Sequence, residues 1–183
     1  MLASFTELVW GTTFVSTKVL LRAFSPLEIM IARFALGFLA LLIVGKGLMK
    51  AQEKWHELLF AFAGLTGVTL YFLMENIALT YISASPVGVI VAAAPLFTAL
   101  VAAAVLREKL SRWFFLGFVC AMAGVAMASL AGVSELSLDP RGVLLGVGAA
   151  FVWGVYSVFV RKLGAMGYRT VPLTCRIFGY GLL

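Results

Sequence analysis

Apolar residues run along this chain in long unbroken stretches, each about the length of a helix that crosses a bilayer and each closed by a short polar connection. They mark six spans: Leu2 to Leu21, Pro26 to Val44, Leu58 to Leu79, Pro86 to Leu106, Trp113 to Ala131 and Gly142 to Val160. A seventh run opens near Val171 and reaches Leu183, too short to cross. The runs are continuously apolar and do not alternate every second residue, so they predict helices rather than a membrane barrel. The expected fold class is all-α, a polytopic transmembrane helix bundle.

Three of the starts carry helix-initiating chemistry. Ser25-Pro26-Leu27-Glu28 fits a capping box with proline at the first helical position. Ser85-Pro86 and Asp139-Pro140 repeat the cap-then-proline start for spans 4 and 6. Gly88, Ala92, Pro95, Ala99 and Ala102 share one face of span 4, and Gly117, Ala121, Gly124 and Ala128 share one face of span 5. Such faces predict close approach of helix backbones. Pro95 removes a hydrogen bond at mid-span and predicts a kink, a candidate gating point.

Composition strengthens the membrane reading. Of 183 residues 63% are hydrophobic and only 12% charged, and the mean hydropathy is +1.08. A soluble chain of this length has too little interior to hide so much apolar surface. The net charge of +6 does not point to nucleic acid, because the basic residues form no patch with interleaved aromatics. The two cysteines, Cys120 and Cys175, lie in apolar runs, and the single histidine, His56, lies in a polar connection where solvation is expected. No metal site, haem site or disulfide framework can be built from that inventory, and no cofactor is called for. No separate signal peptide is visible.

Charge also orients the spans. Lys46, Lys50 and Lys54 follow span 2; Arg107, Lys109 and Arg112 follow span 4; Arg161, Lys162 and Arg169 follow span 6. The alternate connections hold only Arg22 and Arg141. Nine against two predicts a cytoplasmic N-terminus, cytoplasmic basic connections and cap-proline starts that face outward in the cell membrane.

An internal repeat emerges when the sequence is shifted by 143 residues. Val9-Trp10-Gly11 then matches Val152-Trp153-Gly154, Val15 matches Val158, Leu20 matches Leu163, and Arg33 matches Arg176. Five spans separate the copies, so span 6 crosses in the direction opposite to span 1, the arrangement of an inverted-repeat transporter. The units are residues 1–131 as the first repeat, 132–141 as an outer connection, and 142–183 as the start of a second. That second copy stops after about two of five spans. The chain is therefore expected to be incomplete, poorly stable and inactive in transport by itself.

The chain resembles the EamA-type branch of the drug/metabolite transporter superfamily. The resemblance rests on Trp10-Gly11 with Phe14 and Lys18, Ser25-Pro26, Arg33-Phe34, Glu75-Asn76, Ala78-Leu79, Tyr81 and Ser83 to Ser85. It continues through Pro95-Leu96, Glu108-Lys109-Leu110, Gly117 and Gly124-Val125. It implies ten helices in two inverted five-helix halves, both termini in the cytoplasm, and a central cavity that exports small metabolites, amino acids or drugs.

Charges inside the spans are the candidates for chemistry, since each costs about 2.5–3.5 kcal/mol near the bilayer centre. Arg33 lies about 12 Å along span 2. It either forms a structural ion pair or lines the cavity and binds an anionic group. Glu7, Trp10, Phe14 and Lys18 recur at helical spacing and form one stripe on span 1, which a protein-lined cavity explains better than lipid does. Lys18 alone could snorkel. Glu7, whose counterpart is Ala150, could act as a proton acceptor. Glu75 and Asn76 lie near the outer end of span 3, where Glu75 is either a partner of Arg33 or Lys18 or an interfacial carboxylate. The expected cavity set is Glu7, Trp10, Phe14, Lys18, Arg33 and Asn76. Glu28 belongs to its capping box and Glu108-Lys109 to a turn. These residues predict a secondary transporter or exporter of small solutes rather than an enzyme, because no paired carboxylates, metal-ligand spacing or serine–histidine pair is present. The partners are lipid bilayer and a small-molecule solute, and a homodimer is left open. A truncated non-transporting scaffold and a membrane-embedded enzyme stand as the alternatives.

Overall fold

The computed structural model describes the backbone of residues 2–130 and 138–183, with every side chain except those of residues 2–5, 7–8 and 129–130. Among the described residues the chain forms seven helices and no strand. They are α1 (Leu2–Leu20) and α2 (Pro26–Val44), α3 (His56–Tyr81) and α4 (Ala84–Leu106), α5 (Arg112–Leu130), α6 (Pro140–Ala165) and α7 (Thr170–Gly181). Four of them, α2, α3, α4 and α6, are long and apolar enough to cross a membrane.

Local chemistry sets most of the ends. The Glu28 amide donates to Ser25 Oγ at 3.3 Å, and the Ser25 amide donates to Glu28 Oε2 at 2.7 Å, which completes the reciprocal capping box. At α6 the Arg141 amide donates to Asp139 Oδ1 at 2.8 Å, with Pro140 inside the start. The start of α4 differs from the expected Ser85-Pro86. The helix begins at Ala84 with Ser83 in the cap position, and Ser83 makes no side-chain capping bond. Pro86 is tolerated there because an amide in the first turn has no helical acceptor.

Two spans are interrupted. In α4 the turn breaks at Ala92-Ala93 and resumes with Pro95 in the first turn of the second half. The proline ring clashes with the carbonyl four residues back and lacks the amide that would bond it. In α3 the residues Leu65–Leu70 widen into a π-turn, which no residue pattern had announced. It lies where two neighbours press on α3: a Cβ at Gly67 would sit 2.2 Å from the Tyr156 ring, and one at Gly64 would sit 2.7 Å from the Ile177 carbonyl. The Thr69 hydroxyl donates to the Gly181 carbonyl at 2.8 Å and joins the same turn to α7.

Packing centres on α6, which runs along both halves of α3 and of α4. Among the α6 glycines the closest approach to a neighbour's backbone is at Gly154, where an added Cβ would lie 2.8 Å from the backbone of Phe97 and Thr98. The small faces named from the sequence do not supply this intimacy, since a Cβ at Gly88, Gly117 or Gly124 would meet nothing within 4 Å. A face of small residues allows close packing but does not compel a neighbour to occupy it. Between α2 and α7 the packing is reciprocal: Phe178 lies over Gly37 and Phe38 over Gly179, each ring 3.1 Å from where a Cβ would stand.

The connections separate into two ends. Lys18 at the end of α1 bonds the carbonyls that close α3, and the Arg141 guanidinium lies 5.9 Å over the Tyr81 ring. At the other end Tyr168 meets Gln52 and His56, and Arg161 meets Glu108. The three basic connections therefore share one end. The expected outer connection is only partly visible, because residues 131–137 lie outside the described residues and Pro140 already belongs to α6.

Candidate functional site

A cavity of about 380 Å³ opens at mid-height between α1, α3, α4 and α6. Trp10, Gly11 and Phe14 come from α1, Tyr71 from α3 and Trp153 from α6. The broken stretch of α4 adds Gly88, Val91, Ala92, Ala94 and Pro95. The volume suits a small solute. Irregular backbone at membrane depth is tolerated where it borders such a space.

The wall is an aromatic network. Trp10 and Trp153 lie 5.3 Å apart between ring centroids, Tyr71 and Trp153 4.7 Å, and Trp153 and Tyr156 5.0 Å. These spacings fall in the favourable range for offset and tilted rings. The two tryptophans are the residues matched by the 143-residue shift, and the fold brings them into contact. Their glycine neighbours part company: Gly11 lines the open space, while Gly154 is pressed against α4.

No charged side chain belongs to this lining among the described residues. The expected stripe is thus divided. Trp10 and Phe14 face the cavity, and the side chain of Glu7 lies outside the described residues. Lys18 donates to the Leu79 and Ile82 carbonyls, the latter at 3.0 Å. The last turn of α3 holds this ammonium. Asn76 Nδ2 donates to the Pro26 carbonyl at 3.0 Å and pins α3 to the start of α2.

Arg33 also stands behind the wall. Its guanidinium donates to Thr17 Oγ1 at 2.6 Å and lies 5.7 Å over the Phe72 ring, and Thr17 is fully buried. The Glu75 carboxyl is within Coulombic reach of Arg33, but no ion pair joins them. Glu75 is 1% exposed, so it is not an interfacial carboxylate. The Tyr71 hydroxyl lies near the Glu75 carboxyl, one helical turn away. Even so, Tyr71 Oη, Glu75 Oε2 and Asn76 Oδ1 meet hydrogen-bond geometry with none of the described residues.

The end carrying the basic connections is more fully bonded. Glu57 accepts from Arg176 Nε at 3.0 Å, from Arg176 Nη2, and from Tyr180 Oη at 2.6 Å. Arg176 also donates to the Met49 carbonyl and lies 5.7 Å over Phe60. His56 is 4% exposed, not solvated, and its Nδ1 shares a 2.6 Å hydrogen bond with Tyr168 Oη. Glu108, read from sequence as turn chemistry, pairs with Arg161 through both carboxylate oxygens, one contact at 3.1 Å. Partners more than fifty residues away carry no local signature, which is why the connections read as solvated. Of the cavity residues, Tyr71 and Trp153 were absent from the expected set. The repeat carried the signal for Trp153, as the counterpart of Trp10.

The sequence profile of the EamA-like transporter family matches residues 1–130. An uncharacterized transporter of Archaeoglobus fulgidus is 29% identical over 169 residues, covering 90% of this chain and 58% of that protein. An uncharacterized inner membrane transporter, YhbE, of Escherichia coli K12 is 31% identical over 175 residues, covering 89% of this chain and 54% of its own length. A protein of Streptantibioticus cattleyicolor named "Probable terminal-alkyne amino-acid exporter" is 26% identical over 171 residues, covering 93% of this chain and 57% of its own length. The chain spans about half the length of the curated relatives it matches. No solved structure matches it.

Proposed function

We propose, from the premise that this chain belongs to the EamA-like transporter family, that the aromatic cavity is the solute site of a secondary exporter of small metabolites, amino acids or drugs. The observation that carries the reading is the contact of Trp10 with Trp153 across the cavity. Repeat-related residues of an inverted-repeat transporter meet at the midplane, where alternating access needs its site. The broken α4 beside them supplies the irregular backbone that such sites use. Relatives named transporters and exporters favour this reading over an enzyme.

The orientation that goes with it has the N-terminus and the three basic connections in the cytoplasm of a cell membrane. Residues 1–131 form the first repeat and 142–183 the opening of the second. The aromatic faces would hold apolar or cationic parts of a solute. Lys18 and Arg33, engaged elsewhere, would shape the site from behind rather than touch its occupant.

The test is binding seen from inside the cavity. In a Trp55→Phe/Trp113→Phe background, Trp10 and Trp153 are the remaining indole emitters. Titration of the chain in nanodiscs with a panel of amino acids and organic amines should give a saturable change in emission for at least one solute. Trp10→Ala should weaken that solute about tenfold, about 1.4 kcal/mol, the size of one aromatic contact. The reading fails if no solute saturates, or if Trp10→Ala leaves the affinity unchanged.

A further inference from the structure

The two repeat-related arginines sit over opposite ends of one helix. Arg33 and Arg176 correspond under the 143-residue shift, and each guanidinium lies 5.7 Å over a phenylalanine of α3, Phe72 and Phe60 respectively. Each phenylalanine has a glutamate three residues away. The order reverses between the two ends: Glu57 precedes Phe60, and Glu75 follows Phe72. Read from opposite directions along α3, each arginine thus meets a phenylalanine with a glutamate three residues beyond it toward the helix end.

The two pairs are in different states. Glu57 is gripped through both oxygens by Arg176 and accepts a further bond from Tyr180. Arg33 instead donates to Thr17. Glu75 is left 1% exposed with Oε2 unpartnered among the described residues. A carboxylate that deep in a membrane must find a counter-charge or take up a proton, since burying it ionised and unpaired costs several kcal/mol. Among the described residues, the groups packed around it are few. Arg33 comes from α2 and Tyr71 lies on α3 itself, while Lys18 of α1 is held by the backbone carbonyls at the end of α3. On α6, Tyr156 lies one ring beyond Trp153. Tyr71 is also part of the cavity wall, with its hydroxyl near the Glu75 carboxyl. It therefore lies between the solute space and the buried acid.

We propose that Glu75 is a proton-binding site, a carboxyl that holds a proton in the arrangement seen here and exchanges it for the Arg33 guanidinium when α2 and α3 close as α7 and α3 have closed at Glu57. The proton passes between water in the cavity and a Glu75 oxygen by way of the Tyr71 hydroxyl, and no other bond is made or broken. Its use in coupling rests on the transporter reading, whereas the protonation itself does not.

The experiment is acid-minus-neutral difference infrared spectroscopy on the full chain in nanodiscs. It is scanned from about pH 4 to pH 9, where glutamates from exposed to deeply buried titrate. The carbonyl band of a protonated, buried carboxylic acid should appear and be lost in Glu75→Gln. It should persist in Glu57→Gln and appear at a different pH in Arg33→Gln. If Glu75→Gln does not fold, Glu75→Asp decides, because it keeps an acid and must displace the band. A band unchanged by either Glu75 substitution, a band removed by Glu57→Gln, or no band at all overturns the proposal. A present band with no solute binding to Trp10 and Trp153 would sink the transporter reading and leave the proton site standing.

Discussion

Gly11 and Gly154 occupy equivalent places in the repeat, and the structure predicts opposite responses to the same substitution. A methyl group added at Gly154 would fall 2.8 Å from the Phe97 carbonyl carbon and the Thr98 nitrogen, and 2.9 Å from Phe97 Cβ. Carbon atoms pack at about 3.5–4.0 Å, so α6 and α4 must separate by about 0.7–1.2 Å. Backbone atoms cannot turn aside as a flexible side chain would. A gap of that size forfeits a quarter to a half of each contact it opens, and over-packing of this kind costs about 1–3 kcal/mol. Gly154→Ala should therefore lower the folded-to-unfolded ratio by about 5–30-fold for the first 1–2 kcal/mol. At Gly11 the added methyl meets nothing within 4 Å, and the better helix propensity of alanine should leave stability unchanged or raise it by up to about 1 kcal/mol. Unfolding of both variants by graded denaturing detergent, followed by circular dichroism, reads the difference directly. Equal losses, or a larger loss at Gly11, would refute the claim that the α4–α6 seam is set by backbone contact.

Three further outcomes follow from the same geometry. Cysteines placed at Lys50 and Leu138 should label from opposite sides of the membrane, Lys50 from the cytoplasm; labelling from one side would undo the assignment of spans. A double-mutant cycle with Glu57→Gln and Arg176→Gln should give a coupling of about 1–2 kcal/mol, because the pair is part-buried, Glu57 at 32% and Arg176 at 18% exposure, and bidentate. The same cycle on Arg161 and Glu108, 61% and 38% exposed, should give about 0–1 kcal/mol, and a reversed order would contradict the burial argument. Tyr168→Phe should cost about 1–3 kcal/mol in the same detergent assay, since it strands both the Gln52 amide and His56 Nδ1; His56→Phe should cost less, because the amide keeps its partner.

What could be read from the residues was whatever depends on neighbours in the chain. Apolar run length marked the helices, and Ser25, Asp139 and Pro95 marked two helix starts and a break, all local chemistry. Trp10 was expected at the cavity, and the 143-residue match carried a signal for Trp153 that the expected set did not use; their contact is not a property of the sequence. The rest turned on distant partners. Nothing beside Arg33 in the chain says that it will bond Thr17, nor does anything beside Lys18 point to the end of α3. The π-turn lies where Tyr156 and Gly181 press on Gly67 and Gly64, residues about ninety to a hundred and twenty positions downstream. A stripe of charge and aromatics on one helix was legible, but its division between a cavity and a structural cluster was decided by α2, α3 and α6.

The glycine seam against α6 has a consequence for how this protein is made. Helices α3 and α4 leave the ribosome well before the helix that covers them, since Gly67 waits for Tyr156 and Thr98 for Gly154. Chains are synthesised from the N-terminus at about 5–20 residues per second. For several seconds, then, the π-turn, the broken α4 and the buried glutamate between them must be held in the bilayer without their final neighbour. Assembly of these helices therefore includes a lateral docking of α6 onto α3 and α4, and a chaperone or insertase that shields α3 and α4 until α6 arrives would act at that moment.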